Sequence, residues 1–442
     1  MSMTRTRRIA LALILLSGVL PVIWGFFPER PIPGGMLDFK GVYYGERCLL
    51  QHSDPYQEGE PLRVYQAEGH PLRPAEEGLR QNLTWYIYLP TAFLFIAPFA
   101  MLQWGPAHLL WMILMSISLM LAAFLMWEFG ADYAPVISGG LVCLVLANSE
   151  MVLATGNPAG IVVGLCAAAV WCFLKERFMP AGILCLAVSL AIKPHVAGPV
   201  WLYFLLAGGV YRKRALQTLV VTVALAVPSI VWVSHVAPRW TGELHYNLLA
   251  VSEPGRNSDP GPANPVYVSG PSMIIDLQSA ISIFRDDPRI YNPVSYLVCG
   301  ALLLVWSVFT LRSQFSPRRA WLALAAVVPL TMLATYHRPY DAKLLLLTVP
   351  ACAMLWAGGG LIARLALLFN TAGLVLTSDI PLTVLMILAK SLHISTDRLP
   401  GQLITDVLMR PTPLILLAMS VFYLWVYVRS RPSVTEPLYS RQ

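Results

Sequence analysis

Apolar segments long enough to cross a bilayer recur along almost the whole chain. They lie at 9–27, 86–103, 108–127, 136–154, 159–175, 180–209, 215–236, 294–311, 320–336, 342–358, 362–377 and 412–428. Each reads as a helix, because backbone immersed in lipid must satisfy its own hydrogen bonds. The pattern predicts an all-α, polytopic membrane protein with about twelve crossings, the chain 1–442 forming a single transmembrane domain. The segment 180–209 is too long for one straight crossing, and Lys193-Pro194 interrupts it. It is either one kinked helix or a re-entrant piece. Two long polar stretches, 28–85 and 237–293, fall on the same side under this count. A third, 378–411, contains an apolar run at 380–389 that is too short to cross and reads as interfacial.

Composition sharpens the class. The chain is 57% hydrophobic and only 12% charged, whereas a soluble chain carries roughly twice that charge. The net charge of +7 is no nucleic-acid signature, because the basic residues gather in short clusters between spans. These are Arg5 with Arg7 and Arg8, Arg212-Lys213-Arg214, Arg318-Arg319, and Arg429 with Arg431. Basic clusters stay on the cytoplasmic side. Both termini are therefore expected in the cytoplasm, the two long polar stretches outside, and the protein in the inner (plasma) membrane. Lys175 and Arg177 run against the rule under this count. The first segment ends in Trp24-Gly25-Phe26-Phe27 rather than a small-residue cleavage site, so it reads as an uncut anchor. Six of the seven cysteines sit in or beside apolar segments, and their spacing suggests neither a disulfide framework nor a zinc site.

Candidate chemistry lies where charge meets these apolar segments. Asp38 follows the first span, at its outward mouth, where a carboxylate can deprotonate a hydroxyl beside a lipid headgroup; a solvated carboxylate or a helix cap reads equally from the residues alone. Asp54 in Ser53-Asp54-Pro55-Tyr56 suits a turn or a sugar contact. Tyr44 and Tyr56 suit ring stacking or an interfacial belt. A lysine at a helix centre in lipid costs about 2.5–3.5 kcal/mol, so Lys193 must snorkel or meet an anion in a cavity. His337, Arg338 and Lys343 place positive charge on the predicted outer face, which favours a local anion there. Arg239-Trp240 suits either a phosphate and sugar contact or the membrane interface. Asn82-Leu83-Thr84 matches a glycosylation sequon.

Several motifs in order resemble glycosyltransferase family 87, a group of the GT-C superfamily. They are Asp38 after the first span, Tyr43-Tyr44, Asp54-Pro55-Tyr56, TWYIYLPTAFLFIAPFAML from Thr84, AGILCLAVSLAIKP at 181–194, and TYHRPYDAKLLLLTVP from Thr335. The family's Gly-Gln-x-Asn element is present only as Gly156-Asn157-Pro158-Ala159-Gly160, without the glutamine. The resemblance implies a GT-C-type inverting transferase that takes a monosaccharide, mannose first, from a polyprenyl-phosphate donor to a glycan or glycolipid acceptor. It implies Asp38 as base, with Arg338, His337, Lys193 and Lys343 on the donor phosphate. Asp54, Tyr44, Tyr56, Asn157 and Arg239 would hold the sugar or acceptor. Membrane lipid, donor and acceptor are the expected partners, with no nucleic acid; no cofactor or metal is expected. The reading from another class is a transporter or flippase for a lipid-linked or polar substrate. A non-catalytic scaffold, the third reading, predicts no cavity joining Asp38 to Arg338.

Overall fold

The computed structural model describes residues 5–26, 35–73, 76–264, 274–378 and 410–430, with scattered positions between 381 and 404. The start of the first polar stretch (28–34), part of the second (265–273) and half of 380–389 lie outside the described residues. Every regular element among the described residues is helical.

The first half runs α1 (Arg5–Phe26), α2 (Leu37–Leu50), α3 (Glu60–Ala67), α4 (Glu77–Thr84), α5 (Phe93–Ala100) and α6 (Trp104–Ala131). It continues through α7 (Pro135–Ala147), α8 (Glu150–Thr155), α9 (Ala159–Leu174), α10 (Met179–Ile192), α11 (Pro194–Leu206) and α12 (Gly209–Val236). Then come α13 (Trp240–Ala250), α14 (Leu277–Ser282), α15 (Pro288–Arg312), α16 (Pro317–Ala334) and a 3-10 segment (Asp341–Thr348). The chain closes with α17 (Val349–Ala357), α18 (Gly360–Leu376) and α19 (Pro411–Arg429). Five helices among the described residues are long and apolar enough to cross a membrane: Trp104–Ala131, Pro135–Thr155, Gly209–Val236, Pro288–Arg312 and Pro411–Arg429. Other apolar segments form shorter helices. The 14 residues of α10 rise about 21 Å, less than the roughly 30 Å of a hydrocarbon core. Length alone therefore does not reach the expected twelve crossings. Helix α16 is buried along nearly its whole length, as an all-round apolar helix at the centre of a bundle must be. Leu16, Val220, Leu297 and Leu304 lie exposed on outer helices, the side chains that lipid would cover.

The break at Lys193-Pro194 is a re-entrant fold. Pro194 cannot continue the hydrogen-bond ladder, and Lys193 leaves helical geometry at φ −140° and ψ 81°. Near the far end of α11, Trp201 donates to the Ala215 carbonyl at 2.9 Å, and Arg212 donates to that of Leu205 at 3.1 Å. Near the start of α10, Pro180 and Leu184 form one groove with Lys213 and Leu216. Both outer ends of the pair thus meet the same turns of α12, so α10 rises and α11 returns with Lys193 at the tip. The fold also resolves the misplaced charges. Arg214 donates to the Phe173 carbonyl at 3.2 Å and Lys175 pairs with Glu128 at 3.6 Å, so 173–177 share an end of the molecule with the basic start of α12. Arg7, paired with Asp132 at 2.9 Å, belongs to that same end.

The stretch 28–85 corrects the sequence reading. It is not a long loop, since α2, α3 and α4 fill most of it. Helix α2 is buried on most of its faces, from Asp38 through Leu49. Phe39 stacks on Trp111 with ring centroids 4.5 Å apart, and Tyr43 meets Trp104 edge to face at 5.3 Å. Aromatic residues at 39, 43 and 44 thus anchor α2 against the start of α6.

Candidate active site

Asp38 stands in the first turn of α2 and is 7% exposed. Its position is set by an unusual entry. Met36 adopts a left-handed backbone at φ 57°, and its amide donates to the Ala154 carbonyl at the end of α8. The Gly156-Asn157 element then approaches α2 closely. Gly156 has φ +68°, and a Cβ there would lie 2.6 Å from Cβ of Phe39 and 2.8 Å from Cε of Met36. Only glycine fits both the backbone and the space.

Asn157 connects the acid to a buried ion pair. Its Oδ1 accepts from the Ala159 amide at 2.9 Å and from Lys193 Nζ at 3.0 Å. With the oxygen so committed, its Nδ2 is the group that donates to Asp38 Oδ2, at 2.9 Å. Asn82 Nδ2 reaches Oδ1 of Asp38 at 3.3 Å. Lys193 Nζ also donates to Asp341 Oδ1 at 2.7 Å, and both residues are buried. The ring of Tyr340 lies beneath that ammonium at 5.0 Å, a cation–π contact. A hydrogen-bonded line therefore runs Asp38, Asn157, Lys193, Asp341, joining α2, the start of α9, the re-entrant tip and the 3-10 segment.

On the other side of Asp38 lies a cavity of about 160 Å³. Its walls include Asp38, Gln81, Asn82, Tyr88, Asn257, Tyr336, Arg338 and Tyr340. Arg338 is fixed by donating to the Asn257 carbonyl at 2.6 Å and, through Nε, to the Tyr336 hydroxyl. The second polar stretch thus closes over the first. A carboxylate and a guanidinium share one enclosed, partly polar space.

The remaining expected residues fall elsewhere. Lys193, expected on phosphate, has its ammonium engaged by Asp341 and Asn157, so it holds the acid's neighbour. Asn157 touches Asp38 itself. His337 is buried, but it faces His195, with ring centroids 5.0 Å apart, and is not on the cavity wall. Burial pushes its imidazole below the ordinary value, with Asp341 and the Thr335 carbonyl opposing. Lys343 is buried on the 3-10 segment, off the cavity. Tyr44 packs among Tyr43, Tyr65 and Trp104. Asp54 accepts from the Tyr56 amide at 2.9 Å, closing the Asp-Pro turn, and the Tyr56 hydroxyl donates to the Tyr88 carbonyl at 2.8 Å. Arg239 is exposed at the start of α13. None of Tyr44, Asp54, Tyr56 and Arg239 lines the cavity, although Tyr56 touches the wall residue Tyr88 through its hydroxyl. Asn257 was not picked out from sequence, since a neutral polar residue in a connecting segment carries little signal; Asn82 was read only as part of a sequon, and Tyr336 and Tyr340 only within the segment from Thr335. The Asn82 amide, which a sequon would offer to glycan, is occupied by Asp38 and the Leu37 carbonyl.

The described residues thus combine an all-helical fold, helices long and apolar enough to cross a membrane, and a cavity shared by a carboxylate and a guanidinium. The model of glycosyltransferase family 87 matches residues 86–335, more than half of the chain. The chain therefore belongs to glycosyltransferase family 87 and is a membrane glycosyltransferase. Asn157 and Lys193 lie inside the matched stretch, while Asp38, Arg338 and Asp341 flank it. No curated protein and no solved structure matches the chain.

Proposed function

We propose that this glycosyltransferase moves a mannosyl unit from a polyprenyl-phosphate donor to a hydroxyl of a glycan or glycolipid at the outer membrane face, with inversion. The observation that carries the reading is the single cavity walled by both Asp38 and Arg338. Asp38 takes the proton of the acceptor hydroxyl, a contribution of about 10²–10⁴-fold in rate. The hydroxyl oxygen bonds to the anomeric carbon as the bond from that carbon to the phosphate oxygen breaks. Polyprenyl phosphate leaves as an anion, so it needs positive charge and not a proton donor. Arg338 supplies that charge in a geometry suited to phosphate oxygens. One base and one cation suffice, unlike the carboxylate pair that glycoside hydrolysis requires.

A scaffold has no use for a cavity joining these two groups. A transporter or flippase is disfavoured because the polar groups gather at helix starts and connecting segments rather than along a path. Membranes carrying the protein are expected to transfer label from polyprenyl-phosphate mannose to extractable glycolipid or glycan. Transfer from an arabinofuranosyl donor alone would replace the sugar. Transfer from neither, alongside movement of a labelled lipid between leaflets, would return the transporter reading.

A further inference from the structure

The Lys193–Asp341 pair has two imidazoles beside it that the transfer scheme does not use. His195 opens α11 just past the re-entrant tip, and His337 precedes Asp341 by one turn. One potential ligand atom from each of His195, His337 and Asp341 lies within 4.8 Å of the other two. His337 is 1% exposed, and its ring is already oriented. Nδ1 lies 2.8 Å from the Thr335 carbonyl, which can only accept, so Nδ1 carries the proton and Nε2 presents a lone pair. That Nε2 is buried and has no hydrogen-bond partner. Asp341 gives Oδ1 to Lys193 at 2.7 Å, but Oδ2 receives only the long 3.3 Å contact from the Arg338 amide.

We propose that His195, His337 and Asp341 bind a first-row divalent transition metal, zinc by donor set, which ties the re-entrant tip to the segment carrying Arg338. Two imidazole nitrogens and one carboxylate oxygen suit zinc or its neighbours and suit magnesium and calcium poorly. The Thr335 carbonyl behind His337 is the outer partner that fixes a metal-binding imidazole in the correct tautomer. Positive charge from Lys193 opposes a cation, but Asp341 answers it directly. His337 and Asp341 share one segment, but His195 lies far away in the chain, so the sequence carries no three-ligand metal signature. The site would hold the re-entrant tip against the segment that puts Arg338 on the cavity wall; the value of that for transfer rests on the transferase reading, whereas the binding itself does not.

The test is a titration of the full chain in detergent, stripped with chelator and then loaded with cobalt(II) as a coloured stand-in for zinc. One equivalent is expected, displaced by zinc and not by magnesium. His195→Gln and His337→Gln should each weaken binding at least about tenfold, while Asp38→Asn, which keeps all three ligands, binds as wild type. Variants that stay monodisperse are compared. No binding by the wild type, equal binding by the histidine variants, or displacement by magnesium would overturn the site. Each result is read without a transfer assay, so loss of the metal site and loss of the transferase reading are separable.

Discussion

At the scale of single residues, Asn157 and Lys193 decide how Asp38 presents itself. The amide of Asn157 has no freedom to turn, because its oxygen holds both an ammonium and a backbone amide. On the proposed scheme Lys193 is a positioning residue. Breaking a buried ion pair from one side costs about 3–5 kcal/mol, so Lys193→Met is expected to lower the thermal midpoint sharply. The double variant Lys193→Met with Asp341→Asn should regain much of that stability, since no lone charge remains buried. Transfer should stay reduced in the double variant, because the Ala159 amide alone then holds the Asn157 oxygen. Recovery of both stability and transfer would contradict the positioning role. A second residue makes a pH prediction. Glu46 is fully buried, neither carboxyl oxygen has a partner, and burial pushes its pKa up to about 9. The folded state therefore prefers the protonated acid, while the unfolded chain ionises near the ordinary value of about 4.3. Its contribution to stability is full below that value and is lost as pH rises toward 9. Glu46→Gln should match wild type in thermal midpoint at low pH and exceed it increasingly as pH rises. A gap that is constant with pH would show that Glu46 is not titrating there. Asp38, Lys193 and Arg338 were visible in the sequence because charge beside an apolar helix is costly and must be explained, whereas Asn157 came only from the family resemblance. The partners that orient them were not visible, since an asparagine such as Asn82 or Asn257 carries no such cost in a polar segment.

At the scale of elements, the site depends on how closely α2 approaches the turn before α9. A methyl group on Gly156 would collide with Phe39 and Met36 and would also strain the left-handed backbone, which costs about 1–2 kcal/mol for a residue with a Cβ. Gly156→Ala should reduce transfer at least about tenfold, equivalent to a shift of about 1.4 kcal/mol, by moving Asp38 off its partners. Gly140→Ala is the matched control, since that glycine lies inside α7 with nothing within 4 Å of its added Cβ. It should leave transfer unchanged; loss of transfer in both would mean general fragility. The apolar helices were legible because their hydrophobic runs are long. Helix α2 was not, because its buried faces are made of tyrosines, glycines and single charges that read as polar loop. The re-entrant pair was half legible: Lys193-Pro194 announced a break, but only the packing of both outer ends on α12 decides between a kink and a return.

At the scale of the whole molecule, charge and chemistry separate to opposite ends. Arg7, Lys175 and Arg214 gather at one end through their contacts with Asp132, Glu128 and the Phe173 carbonyl, while Asp38, Lys193 and Arg338 meet at the other. The basic end is expected in the cytoplasm, which would put the cavity outside, where a flipped lipid-linked donor can reach it. Glu253 and Lys213 are both exposed, near the cavity end and at the basic end respectively. A cysteine replacing Glu253 should react with an impermeant maleimide in intact cells, and one replacing Lys213 only after permeabilisation. The reverse pattern would turn the protein over and contradict an outer-face reaction. The most direct test of the central claim compares wild type with Asp38→Asn at matched expression, following both donor binding and sugar transfer from radiolabelled polyprenyl-phosphate mannose. The account predicts that the variant still binds donor but transfers at least about 10²-fold more slowly. Equal transfer by the two proteins would remove Asp38 from the chemistry and contradict the account.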